Sequence, residues 1–391
     1  MSRPAAGPAA GAGADPHLST PSGKPRARSL GIPFGGRPGR WNAITDVPGL
    51  EVGYVTLIEG SEVRTGVTAI HPRGKERPAD PVTAGLHNQN GNGELTGASW
   101  IQESGTFSGP VVITNTHAAG VGHAGIVAWT HRHHPDLTKA WLMPVSAETW
   151  DGYLNDINGH HVNESTVVDA LEVAEGGGPI EEGSVGGGTG MNCYAFKGGS
   201  GTASRVVTYA GREYTVGAFV QANFGDRHEL VLAGVPLGEA LADDNPMAEH
   251  FSAPLGAGSV IAVAATDAPL LPDQCRAFAR RVTLGLARTG TSGSHFSGDL
   301  FLAFSTANEG AFTPSIVTLY QSPEHLDRIE FVPWGHLDPF YEAVVQAVEE
   351  AVANALVANE DMTGRNGHRT PAFPRDRVRE LVGKARSERG S

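Results

Sequence analysis

The sequence has few of the features that mark secreted and membrane proteins. Its 391 residues include only 2 cysteines, Cys193 and Cys275, which are too few for a disulfide framework. No apolar run approaches the roughly 20 residues of a membrane-spanning helix. The first residues, rich in Pro, Ala and Gly, lack the apolar core of a signal peptide. We therefore expect a cytoplasmic protein with no membrane partner.

Positive charge is also scarce. The 29 Lys and Arg residues against 42 Asp and Glu residues give a formal net charge of −13. Because an acidic chain repels the phosphate backbone, we expect no nucleic-acid partner. Hydrophobic residues make up 40% of the chain and charged residues 18%, which is ordinary for a globular protein.

Several familiar catalytic signatures are missing. The chain has no G-x-S-x-G turn, no G-x-x-x-x-G-K-[ST] phosphate loop and no H-E-x-x-H zinc motif. The glycine run at residues 183–190 follows a predicted helix rather than a strand, so it favours a tight loop over a phosphate cradle. The histidines within residues 131–134 favour a solvated helix end over a metal site, because adjacent residues of a helix point in different directions.

The composition divides the chain into a central region and two tails. Residues 1–28 are low in complexity and cannot bury enough apolar surface, which predicts a disordered N-terminal tail. Residues 29–360 are expected to form a single domain. Residues 361–391 are polar, with alternating charges and two prolines, and predict a loosely attached C-terminal extension.

The central region mixes strands with helices. Runs rich in β-forming residues predict strands at residues 111–114, 141–145, 205–209, 215–221, 259–265 and 300–305. Apolar residues on one face predict helices at residues 163–175, 272–288 and 339–359. Most of the strands are apolar at nearly every position, which is typical of sheets covered on both faces. The pattern therefore fits sheets held between layers of helices.

Three segments place small polar residues beside apolar strands. In PLGAGSVIAVAATD (residues 254–267) a glycine-rich stretch enters a strand that opens with Ser259. The segment GSHFSGDLFLAFSTAN (residues 293–308) has the same layout, and FVQANFG (residues 219–225) ends a strand at Asn223. Each segment alone is more typical of an ordinary turn. However, polar side chains at strand ends are where catalytic groups often lie.

These segments, in this order, resemble the DmpA-type aminopeptidases, which include L-aminopeptidase/D-amidase-esterases and β-peptidyl aminopeptidases. The resemblance extends from about residue 29 to about residue 385. Its markers are WNAITDV (41–47), VSAETWDGYLND (145–156), GSVGGGTGMN (183–192), and the segments 220–225, 258–269 and 297–308. The resemblance implies an α+β fold with a four-layer αββα sandwich. It also implies a homo-oligomer, commonly a tetramer of αβ units.

The resemblance further implies a serine aminopeptidase that cuts itself between Gly258 and Ser259. The α chain would end at residue 258 and the β chain would begin at residue 259, with Ser259 as the nucleophile. Glycine before the cut leaves the attacked carbonyl unobstructed. Ser297 and Asp299 match the activating pair, and we expect Ser297 to hydrogen-bond to Ser259. The new α-amine of Ser259 is the other candidate base, and Asn223 matches the oxyanion-hole residue.

An aminopeptidase must also recognise the ammonium group of its substrate. We expect Glu148 to pair with that group, and Trp150 and Tyr153 to line the pocket. Asp151 and Asp156 are alternative ammonium partners. The implied substrates are small peptides, amides or esters, which pass through an acyl-enzyme with no metal or organic cofactor. Residues of the α, D and β types all suit this machinery.

Two other functions compete with this one. An ornithine-type acetyltransferase resembles the family in fold and self-cleavage but normally uses threonine, so Ser259 argues against it. An uncleaved, non-catalytic binding protein could keep the same fold. The joint presence of Asn223, Ser259, Ser297 and Asp299 argues against that alternative.

Overall fold

Runs of strands are separated by helices along the chain. The computed structural model describes residues 15–139, 141–250, 258–312 and 326–390. Its strands are β1 (Glu51–Glu59), β2 (Val63–His71), β3 (Val82–Gly91), β4 (Thr106–Phe107), β5 (Val111–Asn115), β6 (Val145–Thr149), β7 (Glu175–Gly176), β8 (Asn192–Cys193), β9 (Phe196–Lys197), β10 (Gly199–Tyr209), β11 (Arg212–Asn223), β12 (Val231–Leu232), β13 (Val235–Pro236), β14 (Ser259–Thr266), β15 (Gly298–Ser305), β16 (Met362–Thr363) and β17 (Arg369–Thr370). Its helices are α1 (Ala98–Ser104), α2 (Ala119–His133), α3 (Glu164–Glu172), α4 (Met247–His250), α5 (Pro272–Ala287), α6 (Asp338–Val357) and α7 (Arg375–Gly390).

Two sheets form the centre of the fold. The first has 5 strands in the order β6-β5-β2-β1-β7, and the second has 6 strands in the order β10-β11-β14-β15-β3-β4. Neighbouring strands are antiparallel except for two parallel pairs, β5 with β6 and β14 with β15. The parallel pair β14–β15 matters for the site, because it brings the first residues of two strands side by side.

Alternate residues of the strands enter different cores. In β14, Val260 and its alternate neighbours join the core that the second sheet shares with α5 and α6. Ile261 and its alternate neighbours join the core between the two sheets. Because side chains of a strand point alternately to its two faces, a strand covered on both faces must be apolar throughout.

Helices cover the outer face of each sheet. Helices α2 and α3 pack on the first sheet, where Trp129 and Leu171 are buried. Helices α5 and α6 pack on the second sheet through apolar stripes that include Phe278 and Val348. The expected four-layer αββα order is therefore confirmed. None of the helices in the described ranges combines the length and the apolar character needed to cross a membrane.

Most of the predicted elements are present in the structure. Strands β5, β10, β11, β14 and β15 contain the predicted strands, and α3, α5 and α6 match the predicted helices to within three residues at each end. The strand predicted at residues 141–145 is wrong, because β6 begins only at Val145. The predicted segment includes the apolar residue Trp141, which lies in a loop with 82% of its surface exposed.

The two ends of the described chain pack against the domain, which differs from the expected tails. Residues 1–14 of the N-terminal tail lie outside the described residues. Arg26, however, is buried and donates to the carboxylate of Glu182 at 2.6 Å. Near the other end, Phe373 and Val382 are buried in the core that contains α6. A buried ion pair and a few apolar side chains order these segments, although their overall composition is polar.

Candidate active site

Ser259 lies where three segments meet at one end of the second sheet. It is the first residue of β14, and it pairs with Asn223, the last residue of antiparallel β11. On its other side it pairs with Gly298, the first residue of parallel β15. The topology therefore brings together the three polar segments noted in the sequence, and it buries Ser259 to 2% exposure.

Two N–H groups converge on the hydroxyl oxygen of Ser259. The backbone N–H of Trp150 donates to Ser259 Oγ at 3.0 Å, and Asn223 Nδ2 donates to it at 3.4 Å. The backbone N–H of Asn192 donates to Asn223 Oδ1 at 2.9 Å, which keeps the amide nitrogen turned toward Ser259. Because both contacts are donated to Oγ, the hydroxyl proton remains available to a base.

A tight turn after β6 positions the Trp150 N–H. The carbonyl of Asp151 accepts from the backbone N–H groups of Leu154 and Asn155 at 3.1 and 3.0 Å. The Asp151 carboxyl group accepts from Asn155 Nδ2 at 3.1 Å and is fully buried, and this burial raises its pKa to about 7. Asp151, an alternative ammonium partner in the sequence analysis, is therefore built into the turn. The other alternative, Asp156, lies 3.6 Å from His161 Nε2.

Ser297 and Asp299 form a hydrogen-bonded pair beside this point. Ser297 Oγ donates to Asp299 Oδ1 at 2.5 Å, and Asn90 Nδ2 donates to Asp299 Oδ2 at 2.9 Å. Burial raises the pKa of Asp299, and hydrogen bonds from Ser297, Asn90 and the Val260 backbone oppose that rise. The expected hydrogen bond between Ser297 and Ser259 is not among those that the described residues form, because Ser297 Oγ faces Asp299.

The peptide bond before Ser259 is closely surrounded. The carbonyl oxygen of Gly258 accepts from the Gly298 N–H at 3.0 Å. A Cβ atom on Gly258 would lie 2.4 Å from the carbonyl oxygen of Asn223 and 3.1 Å from Phe224 Cα. Only glycine leaves these backbone atoms in place, which is a physical reason for glycine at this position.

Glu148 is a buried carboxylate on β6, close to the start of β15. Its Oε1 accepts from the Glu94 N–H at 2.8 Å, and its Oε2 accepts from the hydroxyl of Thr116. Burial raises the pKa of Glu148, and these two hydrogen bonds oppose the rise. A Cβ atom on Gly93 would lie 3.1 Å from Glu148 Oε1 and 3.2 Å from Gly298 Cα, so the carboxylate and the start of β15 flank Gly93.

The two aromatic residues expected to line the pocket have different surroundings. Trp150 is half-buried, and its ring lies so close to Gly152 that a Cβ there would be 2.6 Å from the ring. Tyr153 is buried, donates its hydroxyl to the Arg369 carbonyl at 3.3 Å and stacks on His368 with ring centroids 4.6 Å apart. These contacts tie Tyr153 to the β16–β17 hairpin.

The histidines at the end of α2 contact different partners. His133 pairs with Glu172, and His134 Nε2 lies 3.1 Å from the Lys75 carbonyl. Across the described residues, no three His, Cys, Asp or Glu side chains gather in a way that could hold a metal ion.

Sequence reasoning missed three participants in this site. Asn90, Thr116 and the backbone N–H of Trp150 each contact a predicted site residue. A backbone N–H leaves no signature in the side-chain sequence. The signal that could have pointed to Asn90 is a run of amide side chains and glycines, NQNGNGE, at residues 88–94.

Comparison with known proteins identifies the family. The model of peptidase family S58 matches residues 42–370. The chain is 46% identical over 379 residues to the beta-peptidyl aminopeptidase BapA of Sphingosinicella microcystinivorans, with 93% of each chain covered. It is 42% identical over 381 residues to BapA of Sphingosinicella xenopeptidilytica, covering 93% of this chain and 92% of the relative.

Solved structures agree with this result. The L-aminopeptidase D-Ala-esterase/amidase of Ochrobactrum anthropi, described as a prototype for the serine aminopeptidases and a new variant among the Ntn hydrolase fold, matches with a TM-score of 0.85. It is 46% identical, and the match covers 93% of this chain and 99% of that one. A Burkholderia sp. beta-aminopeptidase matches with a TM-score of 0.82 at 44% identity, covering 92% and 98%. The fold is thus the same Ntn hydrolase variant. The chain belongs to peptidase family S58 and is a hydrolase of the serine aminopeptidase type.

Proposed function

We propose that the protein cuts itself between Gly258 and Ser259 and then uses Ser259 to release N-terminal residues from short peptides, amides or esters. The observation that carries this proposal is the convergence of two N–H donors on Ser259 Oγ at the first residue of β14. Such donors stabilise negative charge on an acyl-transfer intermediate.

Self-cleavage begins when Ser259 Oγ attacks the carbonyl carbon of Gly258. The Gly298 N–H, already bonded to the Gly258 oxygen, stabilises the charge that forms there. The C–N bond breaks, the α-amine of Ser259 takes the proton, and an ester links Gly258 to Ser259 Oγ. Water then hydrolyses this ester, which leaves a Gly258 carboxylate and a Ser259 with a free amine and a free hydroxyl.

Substrate turnover repeats this chemistry on an incoming carbonyl. Ser259 Oγ attacks the carbonyl carbon of the first residue, and a base accepts the hydroxyl proton and passes it to the leaving amine. Asn223 Nδ2 and the Trp150 N–H lie at the oxygen that becomes acylated, where they can reach the developing oxyanion. The base is either the Ser297–Asp299 pair or the Ser259 α-amine. Water then releases the acyl group.

Glu148 is the proposed partner of the substrate ammonium. Its carboxylate is 2% exposed, lies near the start of β15, and is held in place by the Glu94 N–H and the Thr116 hydroxyl. A buried carboxylate gains most from a cation, because opposite charges attract more strongly in a weakly polarisable environment. Pairing at this site would select substrates with a free amino terminus.

We extend the proposal to β-amino acids as acceptable first residues. Two relatives that match over nearly their whole length carry the name beta-peptidyl aminopeptidase. A panel of amides of L-α-, D-α- and β-amino acids, compared by kcat/KM, tests this extension. A kcat/KM for the β-amides at least equal to that for the L-α-amides is expected. Hydrolysis of the α-amides alone would contradict it.

The central proposal is tested with amino-acid p-nitroanilides that carry a free or an acetylated amine. The enzyme should hydrolyse only the free-amine compounds, and the Ser259→Ala variant should hydrolyse neither. Ser61→Ala is a matched control, because Ser61 is exposed and hydrogen-bonds to the neighbouring Glu62. Hydrolysis by Ser259→Ala at the wild-type rate would remove Ser259 from the mechanism.

We also propose that the protein forms a homo-oligomer, a tetramer of αβ units. Supporting this are exposed large apolar side chains, among them the aromatic residues Phe331 at 47%, Trp334 at 51% and Trp141 at 82%. Exposed apolar surface of this kind often marks a protein interface. Light scattering coupled to size-exclusion chromatography should give four times the mass of one αβ unit. A cytoplasmic location stays a prediction.

A further inference from the structure

A β-bulge in strand β3 places Asn90 opposite Asp299. Leu300 of β15 lies opposite Asn88, whereas Asp299, the residue before it, lies opposite Asn90. Gln89 is therefore the extra residue, and in a regular ladder it would face Asp299. An extra residue in one strand redirects the side chains that follow it, and bulges are frequent beside active sites.

The bulge sends two neighbouring amides to different partners. Gln89 Oε1 accepts from the hydroxyl of Thr283 on α5 at 3.2 Å, and Gln89 is exposed. Asn90 Nδ2 instead donates to Asp299 Oδ2 at 2.9 Å. The two positions differ in their access to Asp299, although they are adjacent in sequence and carry the same functional group.

The amide group of Asn90 also holds the loop that leads to Ser297. Its Nδ2 lies 3.0 Å from the Ser294 carbonyl and 3.3 Å from the Gly293 carbonyl. An amide nitrogen carries two hydrogens and cannot accept, so all of these contacts are donated by Asn90. One side chain thus joins the loop before Ser297 to the carboxylate after it.

We infer that Asn90 is a positioning residue for the Ser297–Asp299 pair. With Oδ2 occupied by Asn90, the Ser297 hydroxyl donates to Oδ1 at 2.5 Å. A hydroxyl that donates to a carboxylate has its lone pairs free to accept a proton from elsewhere. In the proposed mechanism, where the Ser297–Asp299 pair acts as the base, that proton comes from Ser259. The inference rests on the proposed function, in which Ser259 is the nucleophile.

The Asn90 hydrogen bond also favours the charged form of Asp299. Burial raises the pKa of Asp299, and the hydrogen bond from Asn90 is one of three that oppose this rise. Ionisable or charged groups on the surrounding elements include His87 on β3, Arg280 on α5, Glu148 on β6 and His295 in the preceding loop. They also include Glu229, which bonds to Ser292 of that loop, and the Ser259 α-amine after cleavage.

The test compares Asn90→Asp with Gln89→Glu. Both variants replace an amide by a carboxylate of the same shape, one residue apart, but only Asn90→Asp puts it against Asp299. Two carboxylates that share a site raise the pKa of one of them. We expect the acidic limb of the kcat/KM profile of Asn90→Asp to move to higher pH by about one unit or more, and that of Gln89→Glu to stay at the wild-type position.

A second variant, Asn90→Leu, removes the donor without adding charge. Loss of a hydrogen bond to a charged group should lower kcat by about 10- to 100-fold, while a positioning role of Asn90 in proton transfer predicts little change in KM. If either Asn90 variant matures too slowly for steady-state assays, the pH dependence of its self-cleavage rate gives the same readout. Circular dichroism verifies that each variant is folded.

The outcomes separate this inference from the proposed function. Identical pH profiles for Asn90→Asp and Gln89→Glu, or a wild-type kcat for Asn90→Leu, would overturn the positioning role. In that case, inactivity of the Ser259→Ala variant would still support Ser259 as the nucleophile. Full activity of Ser259→Ala would instead remove the proposed function itself.

Discussion

Replacing Gly258 by alanine should slow self-cleavage without unfolding the protein. The added Cβ would lie 2.4 Å from the Asn223 carbonyl oxygen and 3.1 Å from Phe224 Cα. Both neighbours are backbone atoms of, or directly after, strand β11, so neither can rotate away. The alanine must therefore move, and with it the carbonyl that Ser259 attacks.

The size of the effect follows from that displacement. Non-bonded heavy atoms are in favourable contact at about 3.5 Å, so the residue must shift by roughly 1 Å. A misplacement of 1 Å in a reacting group can cost about 100-fold in rate. We therefore expect self-cleavage to slow roughly 100-fold.

The assay follows the fraction of uncut chain over time after rapid purification. Gly335→Ala is a matched control, since a Cβ there meets no atom within 4 Å and its backbone needs no left-handed conformation. It should mature at the wild-type rate. Cleavage of Gly258→Ala at the wild-type rate would refute the reasoning, because the close contact with Asn223 would then have no consequence.

Three further predictions concern the groups around Ser259. Asn223→Ala should lower kcat by about 10²–10³-fold in steady-state assays, since it removes one donor from the oxyanion; an unchanged kcat would contradict this. Glu148→Gln should raise KM for free-amine substrates by at least about tenfold through loss of a charge pair. Glu94→Gln, which changes an exposed neighbouring carboxylate, should leave this KM unchanged. Asp151 has a pKa of about 7 in the folded chain against an ordinary 3.8. The folded state therefore keeps this proton longer than the unfolded state, so stability falls as pH rises from about 4 to about 7. Asp151→Asn should remove this slope in denaturant titrations and add up to about 4 kcal/mol above pH 7; an unchanged slope would show that Asp151 does not carry it.

The sequence was most informative where strands are apolar throughout. Strands β14 and β15 and the end of β11 were predicted because buried strands leave continuous apolar runs. These same strands carry Ser259 and Asn223, and β15 follows directly after Ser297. Three of the proposed site residues could therefore be placed at strand ends from the sequence alone.

The remaining features depend on contacts that no local pattern encodes. Trp141 reads as part of a strand because it is apolar, yet it is exposed, and only the tertiary environment decides between these states. Arg26 lies in a tail of low complexity but is buried against Glu182, a partner far away in sequence. Asn90 reaches Asp299 only because of a one-residue bulge, and a shift of one residue changes which side chain faces a partner.

Intact mass under denaturing conditions tests the central claim most directly. The uncut chain has a mass of 40.8 kDa, and division in proportion to residue number predicts chains of about 27 and about 14 kDa after the cut. We expect these two chains from the wild-type protein, with the smaller beginning at Ser259, and one full-length chain from Ser259→Ala. A single full-length chain from both proteins would contradict self-activation at Gly258–Ser259.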